Sequence, residues 1–246
     1  MEKVRVTVDI VIFSIRNRAL HVLLVKRGVP PFQGEYAIPG GFLRADESLE
    51  EAAKRELHEE TSVRDVYLEQ LYSFGDPGRD PRGRVVTVAY YALASSDRMD
   101  LSAGADAAEA GWVAVKSLPR LAFDHGQIVE YALERLRNKL EYTTVGFQLL
   151  PKKFTLAELQ AVYEAILGKK IDKRNFRRKM ALLGILKPLQ EWKETGRKPA
   201  QFFSFAAKRF ENLRAKGLFE RSYGSQTSLT LIGSSSTLSH SPFGAQ

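Results

Sequence analysis

The chain has 246 residues, 44% of them hydrophobic, with a formal net charge of +8, enough for two modest domains or one large one. It has no cysteine, which excludes a disulfide framework or a thiolate site and suits a reducing cytoplasm, and no apolar run nears the ~20 residues that cross a bilayer. Charge is unevenly spread: residues 1–150 hold 19 Lys/Arg against 22 Asp/Glu, net −3, and residues 151–246 hold 18 against 7, net +11, so the second part is expected to meet a polyanion.

Val4–Ile15 and His21–Lys26 are rich in β-branched residues and read as strands, with Arg16-Asn17-Arg18 as the turn between them. Arg5 and Asp9 interrupt the first stretch, so it is not a signal-peptide apolar region. Residues 28–41 are dense in Gly and Pro and predict a loop around a short strand.

Gly40 to Val63 follows. Ser48 and Glu51 form a capping box, so a helix starts here. Leu49, Ala52, Ala53 and Leu57 recur at helical spacing and mark its buried face, while Glu50, Glu51, Lys54 and His58 fall on the solvated face. At roughly 100° per residue, Glu56, Glu59 and Glu60 are expected near the apolar stripe. Three carboxylates on an inward or groove-facing side repel one another and lose hydration. Their spacing suits a hard divalent cation, Mg²⁺ or Mn²⁺, with Glu56, Glu59 and Glu60 as metal ligands. The competing reading is a solvated, salt-bridged face on which Lys54 and Arg55 pair with the acids.

The run from Gly41 through Glu47 to Arg55-Glu56-Leu57-His58-Glu59-Glu60-Thr61-Ser62-Val63 resembles the Nudix box, a long motif of mixed chemistry. The resemblance implies Arg55, Glu56, Glu59 and Glu60 as catalytic residues and places Gly40 and Gly41 beside the substrate. Arg55 is expected to orient the glutamates, since an arginine does not deprotonate usefully. Ser62 departs from the family's Gly, and a residue with Cβ enters the left-handed region at a cost of about 1–2 kcal/mol.

Further along, Val66–Phe74 and Val85–Leu93 read as strands. The loop between them, residues 75–84, resembles those of Nudix proteins related to ADP-ribose pyrophosphatases. Its Arg79, Arg82 and Arg84 either hold a diphosphate by charge-assisted bonds or decorate a solvated hairpin tip. Asp106–Gly111 reads as a loop before a strand at Trp112–Val115; within it, Glu109 is a substrate-side acid by resemblance only. Asp124-His125 opens a helix through about Leu140, and His125 is assigned no chemistry.

Composition changes over residues 144–154, and the domains divide as 1–146 and 147–221. Thr155 and Glu158 form a second capping box, Gly168 ends that helix and Asp172 caps the next. In that helix Phe176, Met180 and Leu183 face one way, and Lys173, Arg174, Asn175, Arg177 and Arg178 line a basic face. Two helices joined by a short turn read as a helix-turn-helix. Leu186–Phe205 then reads as two strands around a wing tip carrying Arg197 and Lys198, and Ala206–Lys216 as a closing helix. Residues 222–246, with eight serines and no charged residue, are expected to be a disordered tail.

Together these parts resemble the Nudix-related transcriptional regulators, the NrtR family, over roughly residues 3–215. The resemblance implies an α+β chain: a Nudix α/β/α sandwich with a mixed sheet, followed by a winged helix-turn-helix. It implies a homodimer on a palindromic double-stranded DNA operator, released by an ADP-ribose-like small molecule, in the cytoplasm. The kept Arg55, Glu56, Glu59 and Glu60 imply that regulator and enzyme coexist. The alternative is an Mg²⁺-dependent ADP-ribose pyrophosphatase-like hydrolase with no regulatory role, its basic domain serving dimerisation or non-specific nucleic-acid binding.

Overall fold

A computed structural model describes residues 3–61, 66–95, 110–196 and 198–215; Ser62, Glu109, Arg197 and the serine-rich stretch lie outside them. The first domain is a seven-stranded mixed sheet between helices. Strands β1 (Arg5–Arg16), β2 (Ala19–Lys26), β3 (Tyr36–Ala37), β4 (Gly40–Phe42), β5 (Tyr67–Phe74), β6 (Val85–Leu93) and β7 (Ala110–Ala114) run in the order β3-β2-β1-β6-β5, with β4 also on β1 and β7 also on β2. β1 and β6 are parallel; the other pairs are antiparallel. β7 begins at Ala110, so the end of the expected 106–111 loop is strand.

The side chains of β1 and β6 divide between two faces, as the two-residue period requires. Val8, Ile10, Ile12, Val88, Tyr90 and Ala92 pack under helix α1 (Leu49–Thr61) with its Ala52, Ala53 and Leu57. Val11, Phe13, Ala89, Tyr91 and Leu93 pack on the other face with Ile128, Val129, Ala132 and Leu136 of α2 (His125–Tyr142). Both faces are covered, so these strands are nearly continuous apolar runs. The capping box of α1 is formed: Ser48 N and Oγ donate to Glu51 at 2.8 and 2.7 Å, and Glu51 N donates back at 3.3 Å.

The second domain has helices α3 (Leu156–Leu167), α4 (Lys173–Leu183) and α5 (Ala207–Ala215) and a three-stranded sheet in which β10 (Ala200–Phe205) lies between β8 (Phe154–Thr155) and β9 (Leu186–Lys193). β8 was not read from the sequence. At two residues it has no periodicity to detect, and only pairing with Phe202 and Phe203 makes it a strand. Thr155 and Glu158 cap α3 reciprocally, and Gly168 ends it at φ +70°, where a residue with Cβ is strained.

Residues 144–154 are more than a boundary. Val145–Leu149 form a 3-10 turn in which Val145, Gly146, Phe147 and Leu149 are buried, so the division expected at 146/147 falls inside packed structure. Phe147 stacks on Phe205 with ring centroids 4.7 Å apart and lies 5.6 Å from Phe154. One apolar cluster runs from Phe13 of the sheet through Leu136 and Leu140 of α2 to Leu159 and Ile166 of α3. Phe147→Ala should therefore cost about 3–5 kcal/mol and lower the melting of both domains together. Calorimetry checks this: a lowered single transition is expected, whereas a first-domain transition left at its wild-type temperature would show that the cores are separate.

Candidate ligand site and DNA-binding face

β4 sets the floor of the first site. Gly40 lies opposite Asp9 and Gly41 opposite Val8 in the β1–β4 ladder. A Cβ on Gly40 would meet Val8 O at 2.4 Å and Asp9 Oδ1 at 2.5 Å, and one on Gly41 would meet Glu56 Oε1 at 2.0 Å. The two glycines make room for carboxylates. Gly40 N donates to Glu60 Oε2 at 3.1 Å.

α1 brings the acids to this floor unequally. Glu56 is buried and Glu60 half-buried, but Glu59 is exposed. Glu59 emerges about a quarter turn from the centre of the apolar stripe, which corrects its expected inward placement. Arg55 gathers the acids: it donates to Glu47 at 2.6 and 2.8 Å, Glu56 at 2.7 Å, Glu59 at 3.1 Å and Phe42 O at 3.3 Å. Arg44 reaches Glu59 at 3.4 Å. The bond from Arg55 holds Glu47 down at about 2. Burial raises Glu56 despite the same arginine. Burial, then repulsion from Glu56 and Asp9, pushes Glu60 up to about 8.

Among the described residues, no three His, Asp or Glu side chains converge as a ready metal cage; Arg55 takes an oxygen of both Glu56 and Glu59. The donor set still fits a hard cation. Glu56 and Glu60 are carboxylates whose charged forms are disfavoured by desolvation and mutual repulsion, which a divalent ion offsets.

The three loop arginines part ways. Arg79 is buried: its Nε and Nη2 grip Asp124 at 2.8 and 2.7 Å, and Nη2 reaches Asp9 at 3.3 Å. Arg84 donates to Gly75 O. Only Arg82 stands in the cleft, paired with Asp80 at 2.7 Å and lying over the rings of Phe42 (5.2 Å) and Phe123 (5.4 Å). Arg27 also lies over Phe123, at 4.8 Å. Desolvation and the charge of Arg82 both lower its pKa, so an anion between these guanidiniums would relieve them. Sequence reasoning missed Asp9, Arg27, Phe42, Phe123 and Asp124. Asp9 had a signal: a charge in the middle of a strand buried on both faces. His125, assigned no chemistry, is buried; its Nδ1 accepts from Ile38 N at 3.1 Å. Burial lowers its pKa, so the neutral ring carries its proton on Nε2, 3.7 Å from Asp9.

The second site is the outer face of α4. Phe176 and Met180 are buried and anchor the helix, leaving Lys173, Arg174, Asn175, Arg177 and Arg178 exposed. Asp172 Oδ1 accepts from Asn175 N at 2.8 Å and caps the helix. The preceding turn is held by Glu164, which accepts from Ile171 N at 3.0 Å, and by Gln160, which donates to Ile171 O at 3.0 Å. At the wing tip Lys198 is exposed, and its carbonyl accepts from Thr195 Oγ1 at 2.5 Å.

Residues 3–132 match the NUDIX domain, and residues 146–205 match the NrtR DNA-binding winged helix domain. The ADPR responsive transcriptional repressor NtrR of Acinetobacter baylyi is 39% identical over 213 residues, 83% of each chain. The chain belongs to the NrtR family. NrtR of Shewanella oneidensis, solved with a 27mer DNA, superposes with a TM-score of 0.74 at 38% identity over 84% of this chain and 95% of that one. The NUDIX domain of that protein, solved with ADP ribose, gives 0.51 at 42% identity over 55% and 90%. An ADP-ribose pyrophosphatase of Methanocaldococcus jannaschii is 40% identical over 109 residues, 44% of this chain and 63% of the relative. This NrtR-family chain thus has both expected parts, a Nudix fold with a mixed sheet and a winged helix.

Two outcomes follow from this geometry. Arg79→Ala strands buried Asp9 and should destabilise the fold by about 3–5 kcal/mol, whereas Arg84→Ala, which gives up one bond to the Gly75 carbonyl, should cost only about 0.5–1.5 kcal/mol; denaturant unfolding of both variants checks this. Glu60 supplies the second. Its folded pKa of about 8 lies above the ordinary 4.5, so without divalent ions it penalises folding increasingly as pH rises from about 5 to about 8. Glu60→Gln should remove that part of the slope. Mg²⁺ affinity should rise with pH over the same window, with about one proton released per ion, then level off. An affinity flat across that window in calorimetric titration would exclude Glu60 as a ligand.

Proposed function

We propose that the chain is an ADP-ribose-responsive transcriptional repressor, with the Nudix cleft as sensor and the winged helix as DNA reader. The observation that carries this is the exposed basic face of α4, anchored by buried Phe176 and Met180, on a domain that shares its core with a Nudix fold. The repressor from Acinetobacter baylyi, related over 83% of both chains, and the Shewanella oneidensis structures with DNA and with ADP ribose support it.

In this reading Arg82 and Arg27 hold the diphosphate, and Phe42 and Phe123 wall the cleft. Glu56 and Glu60, with Glu59 at the rim, hold Mg²⁺ or Mn²⁺. When bound, the ion supplies a Lewis acid and a more acidic water. Arg55 is a positioning residue for Glu56 and Glu59. Gly40 and Gly41 let strand β4 approach the carboxylates. Hydrolysis is the finer part of the proposal, supported by the kept acids and by the relatedness to an ADP-ribose pyrophosphatase. Glu59→Gln or Glu60→Gln should abolish any turnover and leave the fold intact.

Arg174, Asn175, Arg177 and Arg178 enter the major groove, Lys173 and Lys198 contact phosphates, and two protomers place their α4 helices on half-sites about 34–36 Å apart. Helix α2 links the sites. Its N-terminal Asp124 and His125 border the cleft. Near its other end Arg137 Nε donates to Ile166 O of α3 at 3.0 Å. Occupancy alone is enough to shift DNA affinity, because linkage requires only that the ligand prefer one state.

The test uses the duplex that the protein selects from a random pool. ADP-ribose in EDTA, where metal-dependent turnover stops, should weaken binding to that duplex. Arg177→Ala should lose about 1–3 kcal/mol and relax specificity, and Lys198→Ala should lower the salt slope by about one. No sequence preference at all would leave the hydrolase reading. Release that appears only after cleavage, and that product alone reproduces, would overturn sensing by occupancy.

A further inference from the structure

A second cavity, of about 640 Å³, lies between the domains and away from the Nudix cleft. Leu20, Val115 and Leu133 contribute to its wall on the sheet side, and Ala157, Ala161 and Ile166 of α3 on the other. Its polar lining is strongly basic: Arg18, Lys116, Arg137, Lys169, Lys170 and Lys173. Glu164 is the carboxylate among the lining residues, and it already accepts from Ile171 N and pairs with Lys170 at 3.1 Å. Among the described residues, Arg18, Lys116, Lys169 and Lys173 have no ion-pair partner. An apolar floor with convergent cations between two domains is how a site for a small organic anion is built.

Arg18 adds an independent observation. It is the second residue of the two-residue β1–β2 turn, with φ +60° after Asn17 at +49°. A turn of that conformation favours glycine at this position. Arginine is held there against the backbone's preference, and its side chain lines both this cavity and an adjoining one of about 360 Å³ along the same helix. Strain in a non-glycine residue at a cavity mouth is a reason to look for a ligand.

We propose that this interdomain cleft is a second binding site, taking an organic phosphate of about mononucleotide size, with the apolar body on α3 and the anionic group among Arg18, Lys116 and Lys173. A ligand there touches the sheet domain, α3 and the first residue of the DNA-reading helix at once. None of the residues lining this site belongs to the ADP-ribose cleft.

The probe is AMP, titrated calorimetrically into the full chain in EDTA with the Nudix cleft saturated by ADP-ribose. A further event of one AMP per protomer is expected, at least tenfold tighter than inorganic phosphate. Lys116→Glu should weaken it tenfold or more without changing ADP-ribose affinity. Arg18→Gly is the folding control: it should keep or raise the melting temperature, since it relieves the turn, yet weaken AMP as well. Absence of a second event overturns the proposal, as does an event untouched by either variant. Equal affinity for AMP and phosphate would reduce the cleft to diffuse charge. A lowered affinity and salt slope for a random-sequence duplex in Arg18→Gly or Lys116→Glu, without any AMP event, would make the cleft a track for the DNA backbone instead.

Discussion

A guanidinium held between two aspartates, where water scarcely reaches, is the point on which the first domain converges. Strand β1 is buried on both faces and yet carries Asp9 in its middle. An uncompensated carboxylate there would be untenable. Arg79 comes from the β5–β6 loop and Asp124 from the start of α2, so one ion-pair system ties strand, loop and helix together. Gly40 has no side chain because the Asp9 carboxylate needs its space. Glu60, bonded to that same glycine, is then raised by burial and by the acids beside it. The chemistry of the cleft is a consequence of how the fold compensates one buried charge.

Arg55 plays the corresponding part at the cleft's outer edge. By bonding Glu47, Glu56, Glu59 and the Phe42 carbonyl it fastens the strand leading into α1 to the helix itself. The acids are spread between a desolvated pair and a solvated rim member. Such a division suits a site that binds a divalent ion together with its ligand rather than a closed structural cage.

The two domains meet as packed structure, and this bears on regulation. A helix of 18 residues is about 27 Å long. α2 therefore reaches from the cleft, through Asp124 and His125, to the winged helix, through Arg137 and Leu140. Close-packed interiors transmit strain, and the 3-10 turn at Val145–Leu149 offers little slack between the two halves. The basic interdomain cavity lies along the same seam.

The sequence by itself determined the parts whose causes lie within a few residues. Capping boxes at Ser48–Glu51 and Thr155–Glu158, the left-handed stop at Gly168, the apolar stripe of α1 and the basic face of α4 all follow from spacings of three and four. Each was legible because helix periodicity and capping are local. The Nudix and winged-helix motifs were legible for the same reason, being contiguous runs. Only the tertiary structure decided what joins distant positions. Arg79, open between ligand binding and a solvated tip in the sequence, meets Asp9 across 70 residues and Asp124 across 45. Glu59 is met at the rim by Arg44 across 15 residues, and Arg27, Phe42, Arg82 and Phe123 became one wall only when four segments met. Ion pairs and ring contacts of this kind are set by topology, which places side chains according to where strands cross rather than where residues follow one another.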